Sequence, residues 1–71
     1  MTPTLLSRAG EALHGPNWPR ALARDLRVAE RTIYRWRDGS APIPPGIRAE
    51  LRELAIARGA ELARLADELS S

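Results

Sequence analysis

The chain has 71 residues, with 11 basic and nine acidic side chains and a formal net charge of +2. This length leaves room for a single domain, residues 1–71, whose core is marginal unless a disulfide, a metal or a second chain stabilises it. Because the chain has no Cys and one His, disulfides and a zinc site are excluded. Association with a second chain is then the remaining source of stability.

The charges are unevenly distributed along the chain. Residues 1–48 contain eight Arg and four acidic residues, whereas residues 49–71 contain three Arg and five acidic residues. A basic region of this kind suits a polyanionic partner, and we expect the acidic region to lie away from that partner.

Targeting and catalytic signals are missing from the sequence. Arg8 and Glu11 interrupt the short apolar run at Leu5 and Leu6, and no segment approaches the length of a membrane span. The chain contains no glycine-rich phosphate loop and no carboxylate pair in a recognisable setting. We therefore expect a cytoplasmic protein that is not an enzyme, needs no cofactor, metal or small-molecule effector and contacts no membrane.

Hydrophobic spacing predicts helices throughout and no strand. The first helix covers about 4–14, buries Leu6, Ala9 and Leu13 along one side and ends at 15–16, where the sequence is Gly-Pro. A second helix follows from Pro19, because proline suits the first position of a helix, where its missing N–H is no loss.

The middle of the chain predicts two short helices joined by a tight turn. Leu22, Ala23 and Leu26 share one side of the helix that starts at Pro19. A turn at 27–28 leads to a helix from about Ala29 to Asp38, which Gly39 is placed to end in a left-handed cap. At about 100° per residue, the inner side of this helix carries Thr32, Ile33 and Trp36. The outer side carries Glu30, Arg31, Tyr34, Arg35 and Asp38.

The last third of the chain has the spacing of one long apolar face. After a proline-rich link, this face runs over about 46–69 and contains Ile47, Leu51, Leu54, Ala55, Leu62, Leu65 and Leu69. Two structures are compatible with the interruption at Arg58 and Gly59: one continuous helix, or two helices broken there. The continuous helix is favoured, since a glycine inside a helix costs only about 1 kcal/mol. The predicted fold is all-α, a four- to five-helix bundle with a long C-terminal helix.

Residues 18–39 resemble the helix-turn-helix of the Cro and phage-repressor type, which is found in bacterial and phage regulators. Ala23 matches the small residue that allows the two helices of that motif to cross closely. Val28, Ile33 and Trp36 match the large apolar residues that hold the helices together. The run 31–39, from Arg31 through Asp38-Gly39, resembles the usual end of the motif.

Two positions depart from the pattern of this family. Arg27 stands in the turn where the family usually has Gly, and Ala29 stands where the second motif helix usually opens on Ser or Thr. Each departure removes a local stabiliser, since a side-chain cap is typically worth about 1 kcal/mol.

The resemblance implies two sets of DNA contacts, because the second motif helix of this family enters the major groove. The residues placed to read base edges are Glu30, Arg31, Tyr34 and Arg35. The residues placed to contact phosphate are Arg20 and Arg37, followed by Arg24, Arg27 and the indole N–H of Trp18. Trp18 has a second and favoured interpretation, as a hydrophobic staple that packs on the first helix.

A homodimer is the expected assembly, since family members of this size usually bind palindromic sites as two-fold dimers. We expect Leu62, Leu65 and Leu69 to form its interface; the alternative is that they fold back on Leu5 and Leu6 of the same chain. The expected function is sequence-specific binding of double-stranded DNA on the nucleoid as a transcriptional regulator. Repression is favoured, because a chain of one domain has no second domain to sense a ligand or recruit polymerase. The alternative is a protein-interaction helix-turn-helix module, such as an antitoxin or adaptor.

Overall fold

All regular secondary structure in the chain is helical, and the computed structural model describes every residue from 1 to 71. The elements are α1 (Pro3–His14), a 3₁₀ turn (Gly15–Asn17), α2 (Trp18–Leu26), α3 (Glu30–Asp38) and α4 (Pro45–Leu69). The absence of strands confirms the predicted all-α class. None of the four helices combines the length and the apolar character that crossing a bilayer requires.

α1 begins one residue before its predicted start because Thr2 caps it. The Thr2 hydroxyl accepts a hydrogen bond from the backbone N–H of Leu5 at 3.1 Å, which satisfies one of the donors that every helix start leaves without a partner. The helix ends as predicted at Gly15, whose φ of 75° is a conformation that glycine adopts without strain.

The core is formed by α1, α2 and α3 together with the first two turns of α4. Its ten buried apolar residues are Leu6, Leu13, Trp18, Leu22, Ala23, Leu26, Ile33, Trp36, Ile47 and Leu51. Only the last two come from α4, and no residue beyond Leu51 is buried. A bundle of four to five helices is therefore not confirmed: three helices pack together, and one end of a fourth helix covers them.

Gly10, for which the sequence predicted no role, allows α1 and α2 to approach closely. The ring of Trp18, at the start of α2, lies directly over Gly10 of α1, so that a Cβ on Gly10 would overlap the ring atoms. Trp18 is consequently only 4% exposed. The ring packs on α1, as the favoured interpretation of this residue expected. A second contact joins the same helices where Nε2 of His14 lies 2.6 Å from Oδ2 of Asp25.

α4 is a continuous helix of 25 residues that passes through Arg58 and Gly59 without a break. It gives the molecule a long dimension of 48 Å against 22 and 20 Å in the other two directions, because its second half extends past the core. Leu62, Leu65 and Leu69 are 56%, 48% and 77% exposed. They do not fold back on the start of α1, which was the alternative to an interface.

Candidate nucleic-acid interface

The connection between α2 and α3 is a tight turn of three residues, Arg27 to Ala29, one residue longer than predicted because α3 begins at Glu30. Arg27 has φ 58° and ψ 44°, and it is the only non-glycine residue in the chain with positive φ. The turn is closed by a hydrogen bond of 3.0 Å from the N–H of Val28 to the carbonyl of Ala23. Arg27 thus adopts the left-handed conformation that makes glycine the usual choice in such turns.

Three buried side chains fix the relative positions of α2 and α3. Ala23, Ile33 and Trp36 are at most 5% exposed, and half-buried Val28 packs against the same cluster. Gly39 ends α3 with φ 79°, the left-handed cap that the sequence predicts. Ala29 provides no side-chain hydrogen bond at the start of α3, so packing, and not capping, holds this helix in place.

The outer face of α3 presents two arginines without partners in the chain. The side chains of Arg31 and Arg35 are exposed, and neither forms an ion pair or a hydrogen bond. Both are therefore available to an external ligand. The other two predicted base readers differ from them, since Tyr34 is 37% exposed and Glu30 is half-buried.

Glu30, Tyr34 and Arg37 form a cluster on the flank of the same helix. The Tyr34 hydroxyl donates a hydrogen bond to the Glu30 carboxylate, and the Arg37 guanidinium carbon lies 4.9 Å from the centre of the Tyr34 ring. The hydrogen bond to Glu30 raises the pKa of Tyr34 above its ordinary value of 10.0, because deprotonation would lose the bond and place two negative charges together. Glu30 therefore holds the Tyr34 hydroxyl in place.

This cluster was not predicted, although its spacing is visible in the sequence. Tyr34 follows Glu30 by four residues and Arg37 follows Tyr34 by three, and these are the separations at which side chains on a helix meet. Such pairs are common on any helix, so the spacing alone did not single this one out. Arg37 also contacts Asp38, with Nε 3.3 Å from Oδ1.

A shallow groove runs between the start of α2 and the flank of α3. Its lining residues are Pro16, Asn17, Pro19, Arg20, Ala21, Arg24, Glu30, Tyr34 and Arg37. Three of the predicted phosphate contacts, Arg20, Arg24 and Arg37, therefore surround one depression beside the outer face of α3. Glu30 is the only acidic residue among them, and its charge is engaged with Tyr34.

The remaining two predicted phosphate contacts lie outside this groove. Arg27 is exposed in the turn at the far end of α2. The ring of Trp18 is buried, and its indole N–H has no hydrogen-bond partner in the chain. Every fully buried side-chain N or O atom of the chain does have a partner. The indole N–H is therefore not fully buried and retains contact with solvent. The structure thus gathers three of the five predicted residues and leaves two apart.

The chain matches no protein-family model, and neither the curated proteins nor the solved structures include a match to it. Any assignment of function rests on the residues and geometry of the chain itself.

Proposed function

We propose that this chain is a transcriptional regulator that binds double-stranded DNA sequence-specifically, as a homodimer that represses by occupying a two-fold symmetric operator. The observation that carries the proposal is the pair of unpartnered arginines, Arg31 and Arg35, on the exposed face of α3. They stand beside a groove that three further arginines surround. Guanidinium groups held on a rigid helix next to a second basic cluster suit base edges flanked by phosphates.

Base recognition follows from placing α3 in the major groove. Arg31 and Arg35 can each donate two parallel hydrogen bonds to O6 and N7 of a guanine, and a good pair of this kind discriminates by about 1 to 3 kcal/mol. Tyr34 offers its ring to a thymine methyl group. The Glu30 carboxylate accepts from Tyr34 and keeps lone pairs with which to accept from cytosine N4. Glu30 and Tyr34 act as one recognition unit in this proposal.

Phosphate binding positions the protein on the duplex. The groove between α2 and α3 brings Arg20, Arg24 and Arg37 close enough to contact one stretch of backbone. Arg27 and the indole N–H of Trp18 are candidates for further phosphates on either side. Contacts of this kind add affinity for every sequence and make binding fall with salt.

Two copies are needed because one small module offers a small interface. In a two-fold dimer the recognition helices reach half-sites about 34 to 36 Å apart, one turn of B-form DNA. The exposed leucines of α4, Leu62, Leu65 and Leu69, are the proposed contact between the copies. The acidic second half of α4 is kept away from the phosphates in this arrangement.

Selection of binding sites from random duplex DNA with the purified chain tests the proposal. We expect enrichment of a palindromic site, and loss of that enrichment in the double variant Arg31→Ala with Arg35→Ala. Arg8→Ala is the matched control, because it removes an exposed arginine of α1 to which no DNA contact is assigned, and it should leave the selected site unchanged. Failure to enrich any sequence would contradict the proposal and favour the protein-interaction module.

A further inference from the structure

Gly59 has no role within its own chain. It lies in the interior of α4, where glycine destabilises a helix relative to alanine. A Cβ on Gly59 would meet no atom within 4 Å, so neither packing nor backbone conformation inside the chain requires a glycine. When a residue is unfavourable for the local structure and no contact in its own chain compensates, the reason for it is to be sought in an interaction with another molecule.

The surroundings of Gly59 form an apolar groove between α1 and α4. The lining residues of this α1–α4 groove are Ala9, Ala12, Leu13, Ala55, Arg58, Gly59 and Leu62. Most of these side chains are small, so the groove leaves room for larger side chains from outside. The α4 leucines Leu62, Leu65 and Leu69, the leucine face, continue from one end of the groove and have no cover.

We propose that the α1–α4 groove is the receptor for the leucine face of a second copy of this chain. The two α4 helices run antiparallel, and the leucines of each copy pack over Gly59 and Ala55 of the other and against its α1. The contact is the same in both directions, as a two-fold axis requires. This inference rests on the dimeric assembly proposed above and specifies its geometry.

The surface area that a stable dimer must bury indicates that the interface includes the α1–α4 groove as well as the leucine face. A stable interface covers about 800 Å² on each partner, which three leucines at about half to three quarters exposure do not supply by themselves. The α1–α4 groove is the apolar surface that adjoins them. Including it adds the exposed sides of Ala9 and Ala12 to each half of the interface.

Charge selects the antiparallel orientation over the parallel one. Within α4 and the residues after it, 45–58 contain three Arg and two acidic residues, whereas 59–71 contain one Arg and three acidic residues. A parallel pair would place the two acidic segments against each other. An antiparallel pair places each acidic segment against the more basic segment of the partner, and complementary charge of this kind fixes register and orientation.

Sedimentation velocity of the full chain without DNA, over a wide range of concentration, tests this geometry. We expect a monomer–dimer equilibrium that Gly59→Leu weakens by about tenfold or more, which corresponds to about 1.4 kcal/mol, because the added side chain fills the space that the partner needs. Ala60→Leu is the matched control: it adds the same side chain one residue later, outside the groove, and leaves the equilibrium unchanged. Circular dichroism should show that both variants keep their helix content.

Three results would overturn the inference. They are a chain that stays monomeric at every concentration, a Gly59→Leu variant that dimerises as well as or better than the parent, and an Ala60→Leu variant that is impaired equally. The two results on variants contradict only this geometry, whereas a chain that stays monomeric also contradicts the homodimer of the proposed function. A monomeric chain that still enriches a DNA sequence would contradict the dimer contact at the α1–α4 groove and would still support sequence-specific DNA binding.

Discussion

Large apolar residues are mostly buried in the first 51 residues and exposed in the second half of α4. From Leu6 to Leu51, large apolar residues at helical spacing are buried against one another, and the residues left outside are mainly charged or small. From Ile56 to Leu69 every residue is exposed, including three leucines that continue the same face. The same helical spacing of apolar residues therefore forms a buried core in one region and an uncovered apolar face in the other.

Truncating one leucine in each region should give the largest contrast. Leu22 is fully buried, so Leu22→Ala should lower the free energy of unfolding by about 2 to 5 kcal/mol. Leu65 is 48% exposed, and Leu65→Ala should change it by no more than about 0.5 kcal/mol in dilute solution. Urea unfolding at low protein concentration measures both. Equal losses would mean that the end of α4 packs on its own chain.

The two glycines inside helices should respond to alanine with opposite signs. Gly10→Ala should cost about 1 to 3 kcal/mol, because its Cβ overlaps the ring of Trp18. Gly59→Ala should instead stabilise the dilute chain by up to about 1 kcal/mol, since it improves helix propensity without meeting any atom. Thermal unfolding of both variants at low concentration checks the opposite signs. A stabilising Gly10→Ala would show that Trp18 does not lie on α1.

Arg27→Gly probes the strained residue between the two helices of the basic region. Because Arg27 is held at φ 58°, glycine should raise the free energy of unfolding by about 1 kcal/mol. If the Arg27 side chain also contacts phosphate, the variant binds every duplex more weakly and with a shallower dependence on salt. Thermal unfolding and a salt titration of the same variant measure the two effects. A lower melting temperature would contradict the left-handed turn.

The hydrogen bond from Tyr34 to Glu30 should be visible as a pH effect. Tyr34 is the only tyrosine in the chain, so the ultraviolet absorbance of tyrosinate reports its titration alone. We expect a pKa above 10.0 that falls back towards this value in Glu30→Gln. The hydrogen bond stabilises the folded chain fully below about pH 10, which is the pKa of tyrosine in the unfolded chain. This stabilisation is lost as the pH rises through the higher pKa that Tyr34 has in the folded chain. Glutamine keeps an oxygen that can accept the hydrogen bond, so Glu30→Ala is the stricter variant, and a pKa that Glu30→Ala leaves unchanged would remove Glu30 as its cause.

The sequence predicted those features that depend on neighbouring residues. The extent of α1, the turn after Leu26, the left-handed cap at Gly39 and the continuity of α4 all follow from local spacing and from glycine or proline chemistry. The helix starts differed by one residue, as in α3, where Ala29 precedes the helix.

Features that depend on distant residues were beyond the reach of the sequence. The sequence predicted that Trp18 packs on the first helix but not that it lies over Gly10, because no local pattern specifies how two helices cross. The extent of the bundle was overestimated because the periodicity of α4 shows that one face is apolar and cannot show whether anything in the chain covers it. The cluster of Glu30 and Tyr34 was visible only as one of many helical pairs.

A binding titration that separates base reading from phosphate contact tests the proposal that α3 reads DNA. Affinities for the selected operator and for a scrambled duplex are measured across salt concentrations for four single alanine variants. Arg31→Ala and Arg35→Ala should each lose about 1 to 3 kcal/mol on the operator and relax the base preference at particular positions. Arg20→Ala and Arg37→Ala should weaken both duplexes similarly and flatten the salt dependence. Four variants that lose the same affinity on both duplexes would contradict the assignment of α3 as the helix that reads DNA.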